Sequence, residues 1–146
     1  MLWVKTFFGI LFQTILLGIF LYLPALTLNW SDAFLLLTIH FLMTILASAY
    51  LLIVKPESIE ARMNYDSKTQ PKEDRLATAL MFSAIFVGLS LAPIDIFHLN
   101  LSSSFEGSIK NIGLAIYIIG MLLFMASLNA NEFAETTVNI QEERGQ

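Results

Sequence analysis

The sequence predicts an all-α integral membrane protein whose four transmembrane helices form two antiparallel hairpins with both termini in the cytoplasm. Of its 146 residues, 56% are apolar and only 14% are charged, and the mean hydropathy is +0.69. Four stretches contain no charged residue: 6–31, 33–54, 76–94 and 111–131. At about 1.5 Å per residue, a helix of such a length crosses a hydrocarbon core of about 30 Å.

The first hairpin comes from spans at about 6–28 and 33–54. The first apolar stretch is longer than the core of a signal peptide, which has about 7–15 residues, and no small-residue cleavage pattern follows it. The polar turn at 29–32 is too short for anything but a hairpin. The second span ends at Lys55 and Pro56, where lysine meets the headgroups and proline stops the helix.

A hydrophilic loop at 55–75 follows, with five basic and five acidic residues. Its segment 56–63 fits a short surface helix with Ile59 and Met63 on one side. A solvated connector is an equally open interpretation. Spans at about 76–94 and 110–129 form the second hairpin, so that 1–128 make a four-helix domain and 129–146 a cytosolic tail.

The basic residues set the predicted orientation. The face with the termini and the central loop carries seven of them, whereas the other carries only Lys110. The positive-inside rule therefore predicts that both termini and the loop are cytosolic. The membrane is a bacterial inner membrane or one resembling that of the endoplasmic reticulum, with the active face towards the cytosol.

The composition also excludes several kinds of site. A net charge of −4 without a basic stripe argues against nucleic acid as a partner. The absence of cysteine excludes disulfides and cysteine nucleophiles, and two separated histidines do not make a metal site. We therefore expect no metal, and the lipid bilayer is the first partner.

Polar and small residues inside the spans predict helix contacts. His40 lies within the second span, where an ionisable residue is by default a functional hint. The simpler interpretation is that neutral imidazole hydrogen-bonds a neighbouring helix, and Gln13 has the same ordinary role. Ala84, Gly88 and Ala92 recur every four residues, which predicts a face that another helix can approach closely.

Two local patterns resemble the isoprenylcysteine carboxyl methyltransferase family. The first is Lys55-Pro56-Glu57, Glu60, Arg62-Met63, Lys72 and Asp74-Arg75. The second is Asn131, Phe133, Val138, Ile140-Gln141 and Glu143-Arg144-Gly145-Gln146. One departure is Asn139, where the family often has arginine. In complete members an Arg-His-Pro-x-Tyr motif and further membrane helix follow and supply most of the cofactor pocket.

The resemblance implies a membrane-embedded methyltransferase that uses S-adenosylmethionine and acts on a lipid-tailed or hydrophobic small molecule or protein. It implies that the tail leads into a missing C-terminal catalytic half, so that this chain alone is expected to be inactive. Gln141 and Arg144 match the tail motif and are the expected cofactor-binding residues; their alternative role is to anchor the tail at the headgroups. The catalytic residues are unknown. The competing hypothesis is a non-enzymatic four-helix membrane scaffold or subunit.

Overall fold

The structure, a computed structural model, describes residues 1–63, 72–101 and 107–130. Within these ranges 92% of the residues are helical and none is in a strand. Four helices are long and apolar enough to cross a membrane. The predicted all-α fold with four membrane-spanning helices is therefore confirmed at this level, and the protein is a multi-pass membrane protein.

Five α-helices and one π-helical turn make up the described chain. They are α1 (Leu2–Ala25), α2 (Ser31–Val54), α3 (Pro56–Met63), α4 (Lys72–Ile94), the π-helical turn (Asp95–Leu99) and α5 (Gly107–Ala130). The long helices start earlier than the uncharged stretches, because a lysine such as Lys5 does not end a helix and its long side chain can extend to the headgroups. α1 ends at Ala25, and the next residue, Leu26, caps it in a left-handed conformation (φ 53°).

The contacts between helices define two ends of the molecule. At one end, here called the Trp30 end, α1 finishes beside the start of α2, and the Tyr22 hydroxyl donates to the Trp30 carbonyl over 3.3 Å. At the other end, here called the α3 end, the hydroxyl of Thr6 near the start of α1 lies 3.8 Å from Sδ of Met63 in α3. These contacts bring opposite ends of α1 and α2 together.

α4 packs on α1 through one aromatic and polar seam. Phe20 and Phe86 stack with their ring centroids 4.2 Å apart, and the Ser90 hydroxyl donates to the Phe20 carbonyl over 3.3 Å. Pro93 is fully buried. At the Trp30 end, Nε2 of His98 donates to the Pro24 carbonyl over 2.7 Å. α4 is therefore held against α1 along its second half.

The small-residue face of α4 has no helix against it within the described chain. Ala84, Gly88 and Ala92 are all exposed, and a Cβ added to Gly88 would meet nothing within 4 Å. The face that packs on α1 carries Phe86 and Ser90 instead, because ring stacking and a hydrogen bond select that side. The expectation that a neighbouring helix approaches the small residues is therefore not met inside this single chain.

α5 is the most loosely held of the long helices. None of its residues is buried, and its half-buried positions form one stripe that includes Tyr117, Met121, Met125 and Leu128. Among the described residues, polar contacts join it to α2 at three levels: Lys110 to Asp32 (2.5 Å), Tyr117 to His40 (2.6 Å) and Asn129 to Lys55 (2.7 Å). The two helices thus lie side by side and run parallel, with their N-terminal ends at the same end of the molecule.

Candidate functional site

A cavity of about 350 Å³ lies between α1, α2, α3 and α5, in the half of the molecule nearer the α3 end. Its volume falls within the range of small-molecule sites, about 300–1,000 Å³. The lining residues are Thr6, Gly9, Ile10, Gln13, His40, Thr44, Ala47, Ser48, Leu51, Ile59, Met63, Met121, Phe124, Met125 and Leu128. Apolar side chains dominate this lining, and a few polar groups interrupt it.

Three of the four long helices, α1, α2 and α5, each contribute one stripe of their surface to the cavity. On α2 the lining residues include His40, Thr44 and Ala47, which follow one another at intervals of four and three. Residues three or four apart share one face of an α-helix, so the same face continues along several turns. The first half of α1 and the second half of α5 line the cavity in the same way. The cavity is therefore elongated along the helices.

α3 closes the cavity at the α3 end. It begins with Pro56, a residue favoured in the first turn of a helix because its missing N–H needs no partner there. Ile59 is buried in a cluster with Leu51 and Leu52, and Met63 lines the cavity although its side chain is partly exposed. The predicted surface helix with Ile59 and Met63 on one side is confirmed.

His40 is the most strongly buried ionisable residue in the wall, with 6% of its surface exposed. Its Nδ1 lies 2.6 Å from the hydroxyl oxygen of Tyr117 on α5. The interpretation that this histidine hydrogen-bonds a neighbouring helix is therefore confirmed. Its other ring nitrogen, Nε2, is buried and has no hydrogen-bond partner in the described part of the chain.

The remaining polar groups of the wall differ in whether their hydrogen bonds are made. Thr44 donates to the His40 carbonyl over 2.7 Å, and Thr6 donates to the Leu2 carbonyl over 3.1 Å. Both hydroxyl protons are thus satisfied by their own helix. The predicted contact of Gln13 with a neighbouring helix is not seen among the described residues; its amide lines the cavity instead. Nε2 of His40 and the side chains of Gln13, which is exposed, and Ser48, for which no hydrogen bond is recorded in the described part of the chain, are therefore the polar groups that can donate to a ligand.

A second, larger groove has a more apolar lining and no histidine. It has a volume of about 680 Å³ and is lined by α1 and the turn after it, including Ile15, Ile19 and Leu23. Ile19 and Leu23 are exposed there, as expected of side chains that face lipid. The smaller cavity is consequently the candidate functional site.

The residues expected to bind the cofactor, Gln141 and Arg144, lie outside the described residues, as does the whole of the second family-like pattern. Of the first pattern, Lys55 donates to the carbonyl of Asn129 over 2.7 Å. This contact fixes the start of the 55–75 loop beside the end of α5, from which the tail continues. Within the described ranges no group of three or more acidic or histidine residues could hold a metal ion.

Sequence reasoning missed Tyr117. Its signal was a single tyrosine in the apolar stretch 112–126 of α5, ten residues from the start of that helix and close to the level of His40, which is nine residues into α2. A hydroxyl at that depth needs a partner, and polar side chains in membrane helices bond across helices. Pairing the two required knowing which faces of α2 and α5 meet, and the predicted directions of the spans do not give that.

Comparisons of the chain with family models, with curated proteins and with solved structures find no match.

Proposed function

We propose that this chain is the membrane part of an S-adenosylmethionine-dependent methyltransferase of the isoprenylcysteine carboxyl methyltransferase type. In this proposal the helices form two antiparallel hairpins, and both termini and the 55–75 loop are cytosolic. The cavity between α1, α2 and α5 holds the hydrophobic body of a lipid-tailed substrate. The observation that carries the proposal is a largely apolar cavity closed by an amphipathic helix at the α3 end.

The position of the cavity supports this assignment. Lys5 and Lys55 belong to the α3 end, whereas Lys110 belongs to the Trp30 end and contacts Asp32 there. Under the positive-inside rule the α3 end is the cytosolic one. A hydrophobic substrate that enters from the bilayer and a water-soluble cofactor that enters from the cytosol would meet at this end.

The wall of the cavity suits a lipid tail. Met121 and Met125 line it from α5, Ile10 lines it from α1, and Ala47 lines it from α2. Methionine is unbranched and polarisable, so its side chain adapts to ligands of irregular shape. The helix that supplies the methionines has no buried residue, which allows it to move aside when a tail enters.

The cofactor half of the proposal rests on the resemblance. S-adenosylmethionine would supply an activated methyl group, and the protein's task is then to hold and orient the accepting group. Gln141 and Arg144 are the residues proposed to hold it. The described residues are proposed to bind the hydrophobic part of the substrate.

Photo-crosslinking tests the lipid side directly. The chain in lipid nanodiscs is irradiated with a diazirine-bearing farnesylcysteine, and the labelled peptides are identified by mass spectrometry. We expect labelling on α1 around Gly9 and on α5 around Met125, with loss of label when unlabelled farnesylcysteine competes. Labelling confined to the exposed face of α4, or insensitive to the competitor, would contradict the proposal.

A pair of glycine substitutions provides a matched control. Gly9 lines the cavity, and a Cβ added at either Gly9 or Gly113 would meet nothing within 4 Å. Gly9→Leu should therefore fill part of the cavity and reduce competitor-sensitive labelling. Gly113→Leu, which lies outside the cavity lining, should leave it unchanged. Equal effects of the two variants would remove the cavity from the proposal.

Methyl transfer is tested separately. The purified chain is expected to incorporate little or no labelled methyl into a prenylcysteine, and robust turnover would show that the expected C-terminal half is dispensable. The gene downstream of the Gln146 codon is then read. An in-frame Arg-His-Pro-x-Tyr motif supports the enzyme, and Arg144→Ala in the longer protein should lower cofactor affinity.

The exposed small-residue face of α4 favours a second candidate, a non-enzymatic membrane scaffold or subunit. Ala84, Gly88 and Ala92 would let a helix of another protein approach closely. In that case Gly88→Leu should disrupt an assembly that crosslinking detects in membranes. The gene should also stop after the Gln146 codon, and no neighbouring gene should encode the Arg-His-Pro-x-Tyr motif. An intact assembly in Gly88→Leu would count against the scaffold.

A further inference from the structure

We propose that the cavity selects a lipid-soluble molecule that carries a ring carbonyl, of the quinone class, and that Nε2–H of His40 donates a hydrogen bond to that carbonyl near the middle of the membrane. The inference concerns binding and goes beyond the proposed function, because a quinone carbonyl offers no nucleophile to a methyl donor and the molecule is therefore placed here as a ligand and not as a methyl acceptor. Binding itself follows from the polar groups in the cavity wall.

The depth of the polar groups is the first step. His40 lies nine residues from the start of α2 and 14 from its end, about 14 and 21 Å along the helix axis. Gln13 lies 11 residues from the start of α1 and 12 from its end, about 17 and 18 Å. In a hydrocarbon core of about 30 Å both side chains are near the middle. Neither helix end nor headgroup can satisfy them.

The hydrogen bonds that His40 and Tyr117 can make favour one tautomer of the His40 ring. The phenolic proton of Tyr117 has one recorded acceptor among the described residues, Nδ1 of His40 at 2.6 Å. If Tyr117 donates, Nδ1 is the acceptor and Nε2 carries the hydrogen. If Nδ1 donated instead, the phenolic proton and the Nε2 lone pair would both lack partners. The first arrangement leaves one unmet group, a donor, and is therefore the favoured one.

An unmet donor at this depth indicates an acceptor on a ligand. Buried polar groups are normally hydrogen-bonded, and in hydrocarbon no water compensates for a missing partner. His40 is 6% exposed, and its Nε2 lacks a partner within the described ranges. Gln13 lines the same cavity, and its amide offers a second donor and an acceptor. His40, Gln13 and Ser48, from two helices, thus line one mostly apolar space, and Gln13 is exposed.

The class of ligand follows from depth and chemistry. Phospholipid ester carbonyls lie at the edge of the hydrocarbon core, about 15 Å from its middle, and do not reach His40. A plain prenyl or acyl chain reaches it but has no acceptor atom. A ring ketone on an apolar skeleton satisfies both conditions, and the volume of about 350 Å³ accepts a ring with part of its tail.

Contact with Nε2 requires a small movement of the wall, because that atom has almost no accessible surface. The wall opposite contains Met121 and Met125, whose three side-chain torsions allow repacking around a ligand. Tyr117 acts as a positioning residue: its hydroxyl holds the imidazole in the tautomer that presents Nε2–H.

Nitrogen-15 NMR of histidine-labelled protein in nanodiscs tests the inference, since the chain has only two histidines. His98→Asn, a change at the Trp30 end, leaves His40 as the single signal source. 2-Decyl-1,4-naphthoquinone should shift the Nε2 resonance saturably. 2-Decylnaphthalene, which has the same skeleton without carbonyls, should leave that resonance unshifted. Equal shifts with both compounds, or none with either, would overturn the inference.

Affinity provides the second measurement. His40→Phe keeps an aromatic ring but removes the donor, so naphthoquinone binding should weaken at least about tenfold, which corresponds to about 1.4 kcal/mol. Decylnaphthalene binding should change little. Unchanged quinone affinity in a folded His40→Phe protein would refute the hydrogen bond; if that variant does not fold, the NMR titration decides alone. If farnesylcysteine labels the chain around Gly9 but the cavity does not prefer the quinone, this inference is wrong and the proposed function stands. If the quinone binds but the longer protein transfers no methyl group, the proposed function is wrong and this inference stands.

Discussion

The hydrogen bond between His40 and Tyr117 should be a measurable part of the attachment of α5 to α2. Tyr117→Phe removes only the hydroxyl and leaves the ring in place. Because no residue of α5 is buried, packing offers little to offset the loss. The donor–acceptor distance of 2.6 Å and the burial of the imidazole indicate an interaction near the upper end of the range for membrane proteins.

The magnitude follows from measured cases. Hydrogen bonds between membrane helices average about 0.6 kcal/mol and reach about 1.7 kcal/mol. Leaving a buried nitrogen unpaired adds to the cost of a single substitution, for which about 1–3 kcal/mol is typical. We expect Tyr117→Phe to lower the free energy of unfolding by about 1–2 kcal/mol, with a coupling energy to His40→Phe of about 1 kcal/mol.

A double-mutant cycle in nanodiscs measures that coupling, with unfolding followed by steric trapping. Tyr50→Phe is the matched control, because Tyr50 lies on the same pair of helices, is exposed and makes no recorded hydrogen bond among the described residues; its cost should be near zero. If the two single losses simply add, with a coupling below about 0.3 kcal/mol, the hydrogen bond does not exist in the membrane.

Three further changes probe other contacts. Asp32→Asn removes an exposed ion pair with Lys110, so the loss of stability should stay below about 1 kcal/mol and shrink in high salt; a larger, salt-independent loss would show a buried pair. Gly18→Leu should lower the free energy of unfolding by about 1–3 kcal/mol. A Cβ added there is already in van der Waals contact with Leu37 at 3.6 Å, so the further atoms of leucine would overpack this contact. Gly88→Leu should leave the stability of the monomer unchanged in the same unfolding assay, because a Cβ added there meets nothing within 4 Å. Ile59→Ala should lower the local opening energy of α3 by about 2 kcal/mol, seen as faster amide exchange in that helix; unchanged exchange would mean that Ile59 does not hold α3 in place.

The family hypothesis needs structure beyond the described residues. It depends on Gln141 and Arg144, and on the prediction that they face the same side of the bilayer as Lys68. Accessibility labelling of Lys68 and Gln146 measures this directly: labelling from the same side is expected, and labelling from opposite sides would exclude a shared cofactor pocket.

The sequence alone determined the class of fold, because the signals for it are local. Charge-free stretches of 19 to 26 residues specify helices long enough to cross a bilayer, since an unpaired backbone in hydrocarbon is too costly. The spacing of Ile59 and Met63 favoured the short helix α3 no more than a solvated connector, and the structure decided for the helix. Each of these features depends only on residues near one another in the chain.

Only the tertiary structure decided which faces of the helices meet. In a soluble helix an apolar stripe marks the buried side, but in lipid every side is apolar and the stripe disappears. The small residues around Gly88 therefore predicted a contact that Phe86 and Ser90 make on the opposite side. The same absence of a face signal hid the pairing of His40 with Tyr117, and with it the cavity, until the structure showed which faces of α2 and α5 meet.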